Sequence, residues 1–114
     1  MTRALLLLLL LLTAPVLAAD VYVGTITSSG ASVNNAAATV PFGLMSPRRY
    51  AVQCDAGAFV VAGDVATAET GVLVAAGQLY DVWLPSPVIR IAIISQGGTA
   101  TCRVFRYSPP PSGH

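Results

Sequence analysis

The sequence contains no lysine, and its single histidine, His114, is the last residue. Without lysine the protein has no Schiff-base or lysine-base chemistry. A histidine that follows a proline-rich segment cannot be held in a catalytic triad or a metal site unless that segment docks. The GxSxG, CxxC, HExxH, phosphate-loop and calcium-loop spacings are also absent. These absences predict a protein that is not an enzyme and that holds no cofactor or metal ion.

Charged residues make up only 10% of the chain. Beyond residue 18 there are five arginines and five acidic residues, so the formal charge is 5 − 5 = 0 when His114 and the termini are ignored. A neutral chain lacks the basic surface expected of a nucleic-acid binder. Low net charge also does little to prevent self-association. We therefore expect no nucleic-acid partner, and we expect a protein partner or self-association.

The N-terminus has the pattern of a cleavable signal peptide. Arg3 precedes the apolar run Ala4–Leu12, and Thr13-Ala14-Pro15 and small residues follow it. A membrane span needs about 20 apolar residues, whereas 4–19 offers sixteen with a proline inside. We expect cleavage after Ala18 and no membrane span afterwards; a retained anchor is the alternative. The predicted domains are a leader at 1–18, a β-sandwich at 19–107 and a flexible proline-rich tail at 108–114.

The two cysteines, Cys54 and Cys102, are separated by 48 positions. Export delivers a protein to an oxidising space, secreted or periplasmic, where cysteines commonly pair. We therefore predict a disulfide between them, either between two sheets or across neighbouring strands. Two buried free thiols are the alternative interpretation.

Short β-branched and aromatic runs separated by Gly and Pro dominate the chain after the leader, and no amphipathic helix appears. This pattern predicts an all-β fold, a small antiparallel β-sandwich or small barrel of about seven strands. Val88–Ser95 and Thr99–Tyr107, joined by Gln96-Gly97-Gly98, are predicted to form a hairpin. Alternation within the strands predicts the following core: Val52, Cys54, Phe59, Val61, Val82, Leu84, Ile89, Ile91, Ile93, Cys102 and Val104.

Six residues are candidates for contact with a partner, because arginine and aromatic side chains can pair or stack at an interface. For Trp83, the average burial of tryptophan favours a core position over an exposed one. A catalytic pair formed by Asp64 and Glu69 is an alternative without a supporting motif. The candidate contact residues are Arg48, Arg49, Tyr80, Trp83, Arg90 and Arg103.

Three runs, Tyr50–Val61, Thr70–Val82 and Ile89–Val104, resemble small β-sandwich structural proteins of bacteriophage virions. The shared features are a strand that ends near a cysteine, an alanine–glycine turn, an aliphatic strand and a glycine–threonine connection, within residues 38–107. The resemblance implies a virion accessory or decoration protein that acts by self-assembly or by docking on other virion proteins. The signal peptide departs from the pattern of that family.

Two functions remain open on these grounds. The first is a non-catalytic structural or binding module that acts through protein–protein contact, located on a virion if it is phage-encoded. The second is a secreted or periplasmic domain that binds cell-wall carbohydrate or inhibits a cell-wall enzyme. The Tyr50–Asp55 stretch and an exposed Trp83 would favour the second.

Overall fold

The computed structural model describes residues 21–108 of the chain. The predicted leader and the part of the predicted tail beyond Ser108 lie outside these residues. The described residues form eight strands and no helix. The strands are β1 (Val21–Ser28), β2 (Val33–Asn34), β3 (Arg48–Cys54), β4 (Ala58–Ala62), β5 (Val72–Val74), β6 (Leu79–Leu84), β7 (Ile91–Ser95) and β8 (Ala100–Arg106).

The strands form two four-stranded antiparallel sheets that pack as a sandwich. Sheet 1 has the order β1-β8-β3-β6, and sheet 2 has the order β2-β7-β4-β5. Each sheet turns one row of alternating side chains toward the other sheet, and these rows form the core. The predicted all-β sandwich is therefore confirmed.

The predicted hairpin between the last two long strands is wrong. β7 pairs with β2 and β4 in sheet 2, whereas β8 pairs with β1 and β3 in sheet 1. The connection after Ser95 crosses from one layer to the other instead of reversing within a sheet. Ser95 fixes this crossing, because its hydroxyl donates to the carbonyl of Gly98 (2.8 Å) and accepts from the amide of Gly30 (2.9 Å). A glycine-containing loop between two apolar runs indicates a reversal, but it does not indicate which layer the second strand joins.

Most of the predicted core positions are buried, and three are not. In β4 it is Ala58 and Val60 that point inward, while Phe59 and Val61 point outward and are partly buried. The A-F-V-V-A run is apolar at every position, so its hydrophobicity does not indicate which residues face the core. Ile89 precedes β7 and is 43% exposed. The buried members of the prediction are Val52, Cys54, Val82, Leu84, Ile91, Ile93, Cys102 and Val104.

A buried asparagine ties the 35–42 segment to sheet 2. Asn35 is fully buried, and its amide nitrogen donates to the carbonyl of Phe42 at 2.9 Å. Its amide oxygen accepts from the amide of Ile91 at 2.9 Å. These hydrogen bonds pair the buried side-chain amide of Asn35 with the backbone groups of Phe42 and Ile91. Without such partners, the burial of a polar side chain would be destabilising.

Candidate functional site

The two cysteines form a disulfide between neighbouring strands of sheet 1. Cys54 on β3 lies directly opposite Cys102 on β8, and their Cα atoms are 3.9 Å apart. Both residues are buried, and they belong to the two central strands of the sheet. The predicted pairing is confirmed, and the bridge lies across neighbouring strands instead of between the sheets. Because disulfides persist in oxidising compartments, this bond indicates an extracytoplasmic environment.

The side of sheet 1 that faces away from the core carries most of the polar and aromatic chemistry. Strand register and alternation define its members, which we call the outer face. The outer face consists of Tyr22, Thr25 and Thr27 on β1, Thr101, Arg103 and Phe105 on β8, Arg49, Ala51 and Gln53 on β3, and Leu79, Asp81 and Trp83 on β6. Tyr107, which directly follows β8 and is hydrogen-bonded to Asp81, extends this face.

Aromatic and charged side chains concentrate at one end of the outer face. This aromatic end consists of Tyr22, Arg49, Asp81, Trp83, Phe105 and Tyr107. Trp83 on β6 lies directly opposite Arg49 on β3. Next to this pair, the Tyr107 hydroxyl donates a hydrogen bond to Asp81 Oδ1. Because β3 lies between β8 and β6, this bond connects the residue that follows β8 with β6, across β3. Ala51 on β3, opposite both Phe105 and Asp81, is fully buried although it points outward.

Partial burial, the hydrogen bond to Asp81 and the negative charge of Asp81, in that order, raise the pKa of Tyr107 to about 12. The nearby charge of Arg49 acts in the opposite direction and lowers it. The phenol is therefore protonated at any physiological pH and remains a donor to the carboxylate.

The aromatic surface continues across the sheet to β1. The rings of Tyr22 and Phe105 meet edge to face, with centroids 6.1 Å apart. Tyr22 is 57% exposed and Trp83 is 54% exposed, so both edge strands of sheet 1, β1 and β6, present an aromatic side chain to solvent. The placement of Trp83 in the core, which average burial favoured, is therefore wrong.

The opposite end of the outer face is a polar depression beside the disulfide. Gln53, Asp55, Gly77, Thr101 and Arg103 line it. The Gln53 amide donates to the carbonyl of Gly77 at 2.9 Å, and Asp55 Oδ1 accepts from the amide of Thr101 at 2.8 Å. These hydrogen bonds hold the turns that flank the depression, so the side chains of Gln53 and Asp55 already have structural partners.

The structure places the six candidate contact residues in three different locations. Arg49, Trp83 and Arg103 lie on the outer face. Arg48 on β3 and Tyr80 on β6 occupy the alternate positions of their strands, which are directed away from the outer face. Arg90 lies on the side of sheet 2, with its Nε 3.9 Å from Asp64 Oδ1.

Sequence reasoning missed Tyr22, Phe105, Tyr107 and Asp81 as members of the same surface. One signal was present, because Phe105 and Tyr107 are two residues apart and share a face with Arg103. The pairing of β8 between β1 and β3 was needed to place them beside Tyr22 and Asp81. That pairing is not readable from local alternation.

Three of the four carboxylates in the described chain have polar or charged neighbours: Asp55 with an amide, Asp64 with Arg90, and Asp81 with Tyr107. Within residues 21–108, no group of three or more His, Cys, Asp or Glu side chains is placed to hold a metal ion. The same residues include no helix long and apolar enough to span a bilayer.

No family model, no curated protein and no solved structure matches this chain. The resemblance to virion sandwich proteins therefore stays a prediction, and the geometry of the outer face is the basis for assigning a function.

Proposed function

We propose that the protein is an exported, non-catalytic contact module that binds a protein partner through the outer face of sheet 1. The observation that carries the proposal is the composition of this face. Trp83, Tyr22 and Arg49 are exposed there, and Tyr107 and Phe105 are partly exposed. Tryptophan, tyrosine and arginine are the side chains that contribute most binding energy at protein interfaces.

The two sides of the sandwich differ in a way that supports this choice. On sheet 2, the segment 63–71 lies over the outward side of the strands. The outward amide of Asn34 donates to the carbonyl of Asp64 (3.1 Å), and a Cβ added at Gly71 would lie 2.7 Å from Cβ of Phe59. On sheet 1, no segment of residues 21–108 covers the aromatic end, since Trp83 and Tyr22 remain more than half exposed.

The contact surface is also rigid, which lowers the entropic cost of binding. Its backbone belongs to four paired strands, and the disulfide joins the two central ones. The hydrogen bond from Tyr107 to Asp81 further restrains the side chains at the aromatic end. If the predicted virion resemblance holds, the partner is another virion protein and the role is that of an accessory or decoration protein.

Site-specific photo-crosslinking in the producing cell tests this proposal. A photoreactive residue replaces Arg103, in the middle of the outer face. The matched control replaces Leu73, which points outward from sheet 2 and is 46% exposed. We expect a discrete protein adduct from position 103 and none from position 73. Adducts of equal yield from both positions, or none from either, would contradict the proposal.

Carbohydrate is the second candidate ligand, and the exposure of Trp83 favours it. An exposed indole offers a flat apolar surface for a sugar ring, and Arg49 directly opposite and Asp81 on the same strand offer hydrogen bonds to hydroxyls. Because Trp83 is the only tryptophan in the chain, its fluorescence reports directly on this end of the face. A saturable spectral shift with soluble cell-wall fragments, lost in Arg49→Ala, is the expected result for this candidate; an unchanged spectrum would exclude it.

A further inference from the structure

The sandwich has four edge strands, and three of them are protected against pairing with another chain. β2 has two residues and β5 has three, so neither offers a long ladder. β1 is longer, but its register is interrupted between Tyr22 and Gly24. A Cβ added at Gly24 would collide with the ring of Phe42, so this ring lies against the edge strand. Short strands, bulges and covering segments are the usual means of protecting a sheet edge.

The fourth edge, β6, has none of these features. It runs for six residues, Leu79–Leu84, and pairs with β3 in an uninterrupted register. Its sequence is L-Y-D-V-W-L, without proline or basic residues, and its only charge, Asp81, accepts a hydrogen bond from Tyr107. No other strand of the described residues pairs with its open side. A long, regular and apolar edge of this kind is a site for strand addition.

We infer that β6 of one molecule pairs antiparallel with β6 of a second copy, so that two copies of sheet 1 join into a continuous eight-stranded sheet. A two-fold axis perpendicular to the sheet relates the copies, which makes the interface self-complementary. This interface uses the backbone edge of sheet 1 and leaves the middle of the outer face free. It therefore goes beyond the proposed function, and each can fail without the other.

The side-chain pattern selects the register of this pairing. In an antiparallel pair, residues directly opposite each other lie on the same face of the sheet. Because inward and outward residues alternate along β6, a residue can lie opposite itself or opposite a residue two or four positions away, but not opposite its immediate neighbour. A centre at Asp81 would place the two Asp81 carboxylates opposite each other, which is unfavourable. A centre at Val82 places Trp83 opposite Asp81 of the second copy on the outer face. On the inner face it places Tyr80 opposite Leu84 of the second copy.

Low net charge permits pairing between two copies, and the composition of the C-terminal segment disfavours pairing within one chain. The described residues carry five arginines and four carboxylates, a formal charge of 5 − 4 = +1, so two copies repel each other little. The segment after Ser108 contains Pro109–Pro111, and proline has no amide hydrogen to donate to a ladder. This composition disfavours the C-terminal segment of the same chain as the strand that covers β6.

Sedimentation velocity of the mature chain over a range of concentrations tests the inference. We expect a reversible monomer–dimer equilibrium. Trp83→Glu places a carboxylate opposite Asp81 twice in the dimer, which raises the dissociation constant about tenfold or more. The matched control is Tyr22→Glu, which changes an outward aromatic residue of similar exposure on the other edge of the same sheet. It leaves the dissociation constant unchanged.

The sign of the introduced charge tests the register. Trp83→Arg faces Asp81 of the second copy and preserves or strengthens the dimer, and the exchange Asp81→Arg/Trp83→Glu restores it. Circular dichroism and the non-reduced mass of each variant establish that the sandwich and its disulfide are intact. A wild-type chain that stays monomeric at all concentrations would overturn the inference. A dimer that Tyr22→Glu dissociates, or that responds equally to Trp83→Glu and Trp83→Arg, would overturn it as well.

Discussion

Reduction of the Cys54–Cys102 disulfide is expected to remove a large part of the stability of the fold. The bond joins β3 and β8, the two central strands of sheet 1, across a sequence separation of 48 residues. The strands are already neighbours in the folded state, so the bond restricts mainly the unfolded chain. Both cysteines are buried within the core.

The magnitude follows from the length of the closed loop. In the chain-entropy model, a loop of this length stabilises the folded state by about 4 kcal/mol at 25 °C. A domain of the size described here has a total free energy of unfolding of about 4 to 13 kcal/mol. The reduced protein therefore retains at most about two thirds of its stability, and its melting temperature falls by about 15 to 30 °C.

Urea denaturation followed by far-ultraviolet circular dichroism, with and without reductant, measures this difference. The variant Cys54→Ala/Cys102→Ala should show a similar loss, with an additional cost for the two small cavities. Reductant should have no effect on this variant, which makes it the control for nonspecific effects. A loss of less than about 1 kcal/mol on reduction of the wild type would refute the reasoning from loop length.

Three further changes test other parts of the structure by chemical denaturation. Asn35→Ala leaves buried hydrogen-bond partners unpaired and should cost about 2 to 4 kcal/mol. Gly24→Ala places a methyl group against the ring of Phe42 and should cost about 1 to 3 kcal/mol, whereas Gly43→Ala, where a Cβ meets nothing within 4 Å, should cost less than about 1 kcal/mol. Tyr107→Phe removes the hydrogen bond to Asp81 and should cost about 0.5 to 1 kcal/mol below pH 10. Because the pKa of Tyr107 is raised to about 12 in the folded state, the stabilisation is complete below the ordinary tyrosine pKa of about 10 and is lost as pH rises toward 12. The wild type should therefore approach the Tyr107→Phe variant over this range; a constant difference between them would contradict the assignment.

The strands with clear alternation were predictable from the sequence, because one face of each contains charged or polar residues and the other face is mainly apolar. In β6, Val82 and Leu84 are buried while Asp81 and Trp83 are exposed, as the alternation predicts. The average burial of tryptophan predicted a buried Trp83, but its outward position in the alternation of β6 leaves it exposed. In β4, where every residue is apolar, the phase was not predictable.

The layer to which each strand belongs was not predictable, because it depends on pairings between residues far apart in the chain. β1 pairs with β8 and β3 pairs with both β8 and β6, so sheet 1 combines residues from the beginning, middle and end of the domain. The association of Arg49 with Trp83 depends on this pairing. The reach of Tyr107 across β3 to Asp81 does so as well.

Hydroxyl-radical footprinting of the protein in its native assembled setting, compared with the purified mature chain, tests the central claim most directly. We expect lower oxidation rates in the native setting for Trp83, Tyr107 and Phe105, which belong to the aromatic end of sheet 1. We expect unchanged rates for Leu73 on sheet 2 and for the exposed Met45. Equal rates in the two settings for the aromatic residues, or protection of Leu73 alone, would contradict a contact role for the outer face of sheet 1.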